Sequence, residues 1–400
     1  MKTDVHAEPG HDDNQLVQQV EGVPLSRLVA YFLRLGTVGF GGPIALVSYM
    51  QRELVVERHW VSNEDYLEGL AFSQLSPGPL AAQLANYIGW VHSGTLGATL
   101  AGIAFVLPSL LMVLVLAAMY VHFGQLAWIQ AMFYGIGAAV SAIIVRSAWR
   151  LIQTTLGRDY LLWPVFAILT IATAWTESEM LSLFVLSGLV AMLIKAPPRV
   201  LRTRSPSLAL APVGFIGFLA PAGAKPVMTV FFFFLKAGAF VFGSGLAIVP
   251  FLYGGVVNGF HWLTERQFLD AVAVAMITPG PVVITSGFIG YLVAGPLGAF
   301  AATLAVFLPP YLLVVFGAPC YRRFAKNRQV KAFVQGVTAA AVGAIAGAAI
   351  ILSKRAVMDL PTVLIAVVSL LLLLRFKRIP EPLIILGAGI VGLTVKHGWS

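Results

Sequence analysis

The sequence has 400 residues, of which 58% are hydrophobic and 11% are charged. Soluble globular chains carry about 25% charged residues, so this composition excludes an ordinary soluble fold. The formal net charge of +9 does not indicate nucleic-acid binding, because the basic residues lie in short loops between apolar runs, where they report orientation in a membrane.

Residues 1–24 form a polar, acidic segment that carries five carboxylates and a single lysine, Lys2. This segment lacks the basic start and the apolar core of a signal peptide. We therefore expect an N-terminal cytoplasmic tail rather than a cleaved leader.

Beyond this tail, long apolar runs alternate with short charged loops, and residues 69–145 carry no formal charge. At about 1.5 Å per helical residue, that stretch is long enough for three to four crossings of a bilayer core of about 30 Å. The predicted class is an all-α polytopic membrane protein. Cys320 is the only cysteine, and no Cys/His spacing is typical of a metal or iron–sulfur centre, so we expect no metal and no cofactor.

The first predicted span contains a cation, Arg34, followed by a glycine-rich break at residues 39–43. A charge inside a span is costly unless it reaches the interface or meets an anion, so Arg34 is either a snorkelling residue or a substrate-binding residue. A charged loop follows, which we expect to be solvated and external and which contains Arg52, Glu53, Glu57 and Arg58.

The second break of this region is Pro77-Gly78-Pro79, where two prolines remove backbone donors. Unwound backbone survives in a bilayer only where protein or a water-filled cavity satisfies its polar groups. A helix that restarts after Pro79 directs free N–H groups and a positive dipole end at the break, which favours an anion. An isolated proline would indicate a packing kink, but paired breaks at matching positions of two halves are typical of transporter binding sites.

The chain contains this arrangement twice. Arg34 matches Lys236, Glu68 matches Asp270, and the segment at 76–79 matches the one at 278–281, all with the same spacing. Because the order is kept over a long stretch, the sequence predicts two homologous halves. The predicted organisation is a polar cytoplasmic tail at 1–24, a first transmembrane repeat at 25–195, a basic linker with room for a short extra span at 196–225, and a second repeat at 226–400.

The loop charges predict that the two halves have opposite orientations. Five basic residues crowd the loop at 322–331, whereas the equivalent loop at 122–130 has none. Halves of six spans can invert only if the linker supplies one further crossing. We therefore expect an inverted-topology repeat with about 13 transmembrane segments, broken helices included.

These features predict one oxyanion site between the repeats, near the middle of the membrane. Arginine and lysine supply charge, while hydroxyl groups and backbone N–H groups at the breaks supply hydrogen bonds. The predicted substrate-binding residues are Arg34, Gly41, Gly42, Gln74, Ser76, Pro77, Gly78, Lys236, Gly243, Thr278, Pro279 and Gly280. Glu68 and Asp270 are candidates for carrying a coupling proton or, alternatively, for local pairing near the interface.

The motifs resemble those of the chromate ion transporter family, in its long two-domain bacterial form, over essentially the whole chain. The resemblance is carried by Phe40-Gly41-Gly42-Pro43, the loop around Trp60, residues 74–79 and Leu107-Pro108-Ser109. It implies an inner-membrane carrier that exports chromate from the cytoplasm, confers chromate resistance and is antagonised by sulfate. The second half departs from the pattern, with Gly243-Ser244-Gly245 and Met276 in place of Gly-Gly-Pro and Gln, so the halves are expected to contribute unequally.

We therefore expect a secondary transporter in the bacterial inner membrane, with a cytoplasmic N-terminus, no catalytic residue and no nucleic-acid partner. The sequence lacks the phosphate-binding loop of nucleotide-driven pumps. The alternatives are an importing permease for sulfate or another oxyanion, a membrane-embedded enzyme, and a structural or channel-forming protein. The oligomeric state stays open, and a homodimer is one option.

Overall fold

The computed structural model describes residues 23–40, 42–124, 126–157, 159–176, 181–197, 226–240, 248–324, 327–376 and 379–397. These residues form fourteen α-helices and contain no β-strand, which confirms the predicted all-α class. Residues 1–22, Gly41, residues 198–225 of the linker and Gly243 lie outside the described residues, and so does the glycine-rich break of the second half.

The helices fall into two series of seven. The first series is α1 (Leu25–Val38), α2 (Gly42–Met50), α3 (Asn63–Leu75), α4 (Leu80–Phe123), α5 (Ala127–Thr155), α6 (Leu162–Thr176) and α7 (Leu181–Lys195). The second is α8 (Pro226–Phe240), α9 (Ile248–Tyr253), α10 (Glu265–Ile277), α11 (Thr285–Phe324), α12 (Arg328–Ala356), α13 (Leu360–Arg375) and α14 (Glu381–His397). A π-helix follows α2 at Gln51–Glu57 and α9 at Gly254–Gly259, and a short 3-10 helix, Val282–Ile284, precedes α11.

The internal repeat of the sequence is also present in the backbone structure. α3 and α10 both have 13 residues, and α5 and α12 both have 29. Unusual backbone angles also recur, since His59 and His261 both adopt a positive φ, of 53° and 51°. The two series therefore share one local fold.

α4 and α11 are each folded back on themselves. Helical angles are interrupted at residues 93–94 of α4 and at residues 294–295 of α11. In a straight helix, residues eight positions apart are separated by about 12 Å, yet Gly89 packs directly against the carbonyl of Gly97, and the matching contact recurs in α11. Each element is a helical hairpin, with a short arm that starts at a Pro-Gly-Pro break and a long arm that follows the turn.

The long arms, residues 95–123 of α4 and 296–324 of α11, run antiparallel where the two halves meet. Thr99, near the start of the first arm, is hydrogen-bonded to Tyr311, at the middle of the second, at 2.7 Å. At the other end, the ring of Tyr120 lies 5.4 Å from that of Phe288, which precedes the turn of α11. Equivalent helices in this relation are connected by a two-fold rotation about an axis perpendicular to them.

Four helices are long and apolar enough to cross a membrane, namely Leu80–Phe123, Ala127–Thr155, Val282–Tyr321 and Arg328–Ala356. The shorter apolar helices are Leu162–Thr176, Ser182–Lys195, Pro226–Ala239 and Leu360–Arg375. A full crossing takes about 20 helical residues, so the shorter helices do not span the hydrocarbon core on length alone. The chain is a helical membrane protein, and the count of 13 segments stays a prediction.

The two halves are interlocked through their last three helices. α5 packs against α13 and α14, and α12 packs against α6 and α7. The Tyr134 hydroxyl donates to both Asp359 oxygens at 2.5 and 2.6 Å, and Lys195 donates to Asp159 and to Gln335. Because the Lys195 ammonium donates to it, the Asp159 carboxyl in the loop before α6 has a pKa below its ordinary value. The halves are therefore expected to fold as one unit.

Gly135 of α5 allows α5 and α14 to pack closely where the two halves meet. A side-chain carbon added at Gly135 would overlap the carbonyl of Ala388 on α14, whereas one added at Gly137 has nothing within 4 Å. We expect Gly135→Ala to destabilise the protein by about 1–3 kcal/mol through overpacking. Gly137→Ala, the matched control, should be neutral or stabilising by up to about 1 kcal/mol through helix propensity. Thermal unfolding in detergent measures both, and equal melting temperatures would contradict this packing.

Candidate functional site

The proline break of the second half lies directly against the first half. The N–H of Gly280 donates to the carbonyl of Gly39 at 2.9 Å, which joins it to the glycine-rich break after α1. The hydroxyl of Ser109, on the long arm of α4, donates to the carbonyl of Pro279 at 2.8 Å. Gly280 has a φ of +97° and faces Ser109 with no room for a side chain, so this position requires glycine.

The proline break of the first half is held by Gln83, a residue that the sequence analysis missed. The Gln83 Nε2 donates to the carbonyl of Pro77 at 2.6 Å and to the Ser76 hydroxyl oxygen at 3.1 Å. Gly78 packs between Gln83 and Pro310 of α11, so this break also faces the other half. The signal that could have identified Gln83 is a polar residue in the first turn of a helix that restarts inside an apolar run.

The hydroxyl groups predicted to bind an anion are already engaged with their own helices. The Ser76 hydroxyl donates to the carbonyl four residues earlier at 2.7 Å, and the Thr278 hydroxyl donates to the carbonyl three residues earlier at 3.0 Å. Both thereby satisfy carbonyls at helix C-termini. Gln74 is exposed, and Gly42 starts α2 with a φ of 74°. Ser76 and Thr278 therefore cap helices in this conformation.

A cavity of about 690 Å³ opens between the halves beside the glycine-rich break, and we call it the charged cavity. The first half contributes three charged side chains to it, from Arg34, Arg52 and Glu53. The second half contributes Ile277, which directly precedes the proline break, and the start of α14. The complete lining is Arg34, Leu35, Val38, Gly39, Phe40, Tyr49, Arg52, Glu53, Ile277, Pro380, Pro382, Leu383 and Leu386.

Three arginines converge on Glu53 at this cavity, and we call these four residues the arginine cluster. Arg34 Nη2 donates to Glu53 Oε2 at 2.6 Å, and nitrogens of Arg58 and Arg52 lie 3.8 and 3.9 Å from Glu53 oxygens. The Glu53 side chain is 12% exposed. The expectation of a solvated loop is therefore wrong for Glu53, whereas Arg52, Glu57 and Arg58 are exposed. The segment is a π-helix that turns Glu53 inward, where its carboxylate is the counter-charge of Arg34.

The arginine cluster retains capacity to bind an anion. Glu57 also pairs with Arg52, at 3.3 Å, so three guanidinium groups face two carboxylates and leave an excess of one positive charge. A guanidinium carries five N–H donors in a planar fork that matches two oxygens of an oxyanion. The side chains of Arg34 and Arg52 are 57% and 59% exposed, and both line the cavity, so donors remain for a ligand.

The corresponding positions of the second half are apolar. Gly255 stands where the first half has Glu53, and Phe260 stands in place of an arginine. Phe260 stacks on Trp262 with ring centroids 4.5 Å apart, and Phe233 fills the space that a side chain at position 255 would need. The charged site therefore belongs to the first half alone.

Arg34 is the one predicted binding residue among those described that lines the charged cavity. Lys236, its repeat partner, is exposed and does not line it. Both Pro-Gly-Pro breaks lie where the halves contact each other and neither lines the cavity, although the second one closely follows Ile277, which does. The structure thus places the two predicted cations in different surroundings.

Each coupling candidate faces a tyrosine of the other half. Tyr120 donates to Oδ2 of Asp270 at 2.7 Å, and Asp270 is 5% exposed. Glu68 is half-buried and interacts electrostatically with Tyr321, the repeat partner of Tyr120. The described segments contain no group of three or more His, Cys, Asp or Glu side chains that could hold a metal ion.

Comparison with known proteins gives a match across the chain. A family model described as chromate transporter matches residues 26–194 and 228–393. The chain is 55% identical over 371 residues to a chromate transport protein of Cupriavidus metallidurans, covering 92% of each chain. It is 51% identical over 386 residues to a probable chromate transport protein of Synechococcus elongatus, covering 96% of this chain and 98% of that one. These matches confirm the resemblance seen in the motifs, and no solved structure matches.

Proposed function

Because the chain belongs to the chromate transporter family, we propose that it carries chromate, a tetrahedral dianion, across the bacterial inner membrane and out of the cytoplasm. The observation that carries this proposal is the charged cavity, where Arg34 and Arg52 line an opening between the two halves. The cavity lies next to helix breaks, which is where transporters of this general construction bind their substrates.

The cavity suits a small oxyanion. Chromate offers no carbon skeleton to recognise, so binding depends on charge and on converging hydrogen-bond donors. Arg34 and Arg52 each present a planar fork to two oxygens. Glu53 is the buried member of its pair with Arg34 and stays paired, while the exposed side of the Arg34 guanidinium offers its remaining N–H donors to the dianion. Because the second half has no such cluster, we propose one oxyanion per chain.

The antiparallel long arms support an inverted-topology repeat. If the arms cross the membrane, the two-fold axis between them lies in the membrane plane, and the halves point in opposite directions. With six crossings in each half, opposite orientations require one further crossing within residues 196–225. The total in our proposal is then 13. Rocking of the halves about the breaks would expose the charged cavity to each side in turn.

Transport by a secondary mechanism is sufficient for export. An inside-negative potential favours the outward movement of each negative charge by about 2.3 kcal/mol per 100 mV. Chromate therefore gains about twice that amount as a dianion. No nucleotide needs to be hydrolysed by this chain.

Transport in membrane vesicles tests the proposal. Energised everted vesicles that contain the protein should accumulate labelled chromate, lose it when a protonophore is added, and accumulate it more slowly in excess sulfate. Vesicles from cells without the protein are the control. Accumulation in right-side-out vesicles instead would indicate an importing oxyanion permease. Absence of transport in both orientations would refute the proposal.

Reporter fusions test the orientation of the halves. A reporter enzyme inserted at residues 122–130 should be active on one side of the membrane, and the same enzyme at residues 322–331 should be active on the other. The expected difference follows from the antiparallel long arms, which end at these two loops. Signals from the same side for both insertions would contradict an inverted repeat.

A further inference from the structure

A hydrogen bond between a buried carboxylate and a tyrosine joins the two halves at the end of α4. Tyr120 donates to Asp270 Oδ2 at 2.7 Å, and it is the one hydrogen-bond donor that the described residues offer to this carboxylate. Arg266, one turn earlier on α10, attracts Asp270 electrostatically while its own guanidinium donates to the carbonyl of Gln130 at 3.1 Å. Asp270 is 5% exposed, and ionisable groups buried within helical membrane proteins are typically functional.

Two pairs of charged groups on the surrounding helices are engaged with each other rather than with Asp270. Glu265 pairs with Arg355 at the end of α12, and that guanidinium lies 5.2 Å from the ring of Tyr253 on α9. Arg146 of α5 pairs with Glu381 of α14 at 3.6 Å. Asp270 thus depends on Tyr120 and on the more distant Arg266 for stabilisation of its charge.

The repeat places an equivalent pair at the opposite end of the bundle. Glu68 and Tyr321 occupy the matching positions and interact electrostatically, and the Tyr321 ring packs against Phe72 with centroids 5.2 Å apart. Both tyrosines lie near the C-terminal ends of the long arms, and those arms are antiparallel, so the two pairs lie at opposite ends. Asp270 is buried while Glu68 is half-buried, so the two ends differ in this conformation.

We propose, on the basis of the proposed transport function, that Asp270 and Glu68 are proton-binding sites that control the opening of the two ends of the transporter. Each carboxylate and the tyrosine of the other half form what we call a tyrosine latch. The Tyr120–Asp270 latch is closed here, and Glu68, the carboxylate of the other latch, is less buried than Asp270. Alternate closing of the two latches would accompany exposure of the cavity to the other side.

The chemistry of the latch follows from hydrogen bonding. A hydrogen bond to an ionised carboxylate is about twice as strong as one between neutral groups. When a proton from water at that end forms an O–H bond with Asp270, the negative charge disappears and the contact between α4 and α10 weakens. Return of the proton to water restores the charge and closes the latch. Opening at each end is therefore expected to become faster as the pH falls.

Exchange of labelled chromate for unlabelled chromate in proteoliposomes, at equal pH on both sides, tests the latches. The wild-type rate should rise about tenfold as the pH falls through the midpoint, whereas Asp270→Asn combined with Glu68→Gln should change it less than about twofold. All variants are compared at the same pH, because chromate itself gains a proton near neutrality. A wild-type profile in the double variant would overturn the inference.

Milder variants keep the test decisive if the double variant fails to fold. Tyr120→Phe with Tyr321→Phe removes a donor from each carboxylate, so the midpoint should move to higher pH by about one unit. Glu64→Gln, at an exposed carboxylate on α3 one turn before Glu68, is the matched control and should leave the profile unchanged. An unshifted midpoint in the tyrosine variant would also overturn the latches. A flat wild-type profile would refute the latches alone, whereas no exchange at any pH would refute the transport function as well.

Discussion

Replacing Arg34 with glutamine is expected to lower chromate transport by about thirtyfold to several hundredfold. The Arg34 guanidinium lines the charged cavity, and in the proposed site it supplies both charge and hydrogen-bond donors to the oxyanion. Removing one partner of a close charge pair costs about 2–4 kcal/mol, and each 1.4 kcal/mol is a factor of about ten. Initial rates of labelled chromate uptake into proteoliposomes, at equal amounts of reconstituted protein, measure the loss.

Lys236→Gln is the matched control for this variant. Lys236 holds the same repeat position but does not line the cavity, so its variant should transport within about twofold of the wild type. Arg34→Lys should be intermediate, because lysine keeps the charge and loses the planar fork. Equal losses in Arg34→Gln and Lys236→Gln would contradict a one-sided site and favour the two-cation site expected from the sequence.

Gly280→Ala is expected to destabilise the protein by about 2–4 kcal/mol and to lower transport about tenfold or more. Its φ of +97° is strained for alanine, and the added carbon would displace the Ser109 hydroxyl from the Pro279 carbonyl. This contact joins the proline break of one half to the long arm of the other. Thermal unfolding in detergent and chromate uptake measure the two effects.

Gly157→Ala is the control that introduces backbone strain without removing a contact between the halves. Gly157 also has a positive φ, of 49°, but an added carbon there meets nothing within 4 Å. Its variant should lose only about 1–2 kcal/mol and should transport normally. If Gly280→Ala were no worse than this control, the junction between the halves would not have the importance assigned to it.

Much of the local fold could be predicted from the sequence, because the repeat carries strong local signals. Pro77-Gly78-Pro79 lacks two backbone donors, and the break between α3 and α4 falls there. Its copy at 279–281 falls between α10 and the short 3-10 helix before α11. The turns at 93–94 and 294–295 were not predicted. A glycine in an uncharged apolar run of sequence does not indicate whether the helix continues or reverses. In the structure, the contact between Gly89 and Gly97 shows that the helix reverses.

The site could be predicted only in part, because its chemistry depends on contacts between distant elements. Arg34 stood out as a cation inside an apolar run, and it does line the cavity. Glu53 did not stand out, since its burial depends on a π-helix that brings it to an arginine on α1. Lys236 resembled Arg34 in sequence, yet its surroundings lack the matching glutamate, which is Gly255 in the second half.

The unequal halves have a physical consequence. A second charged cavity in the same bundle would add a second free-energy cost of placing cations within the membrane. In the second half, the rings of Phe233 and Trp262, with centroids 5.5 Å apart, pack against each other without any charge. In the proposed mechanism the first half binds the oxyanion, while the second half supplies the facing wall and the carboxylate of the closed latch. The shared backbone retains the symmetry that the proposed alternation between two states requires.

Equilibrium dialysis of labelled chromate against the purified protein tests the central claim most directly. The charged cavity predicts one chromate per chain, displaced by sulfate, lost in Arg34→Gln and retained in Lys236→Gln. Two equivalent sites per chain, or unchanged binding in Arg34→Gln, would contradict it.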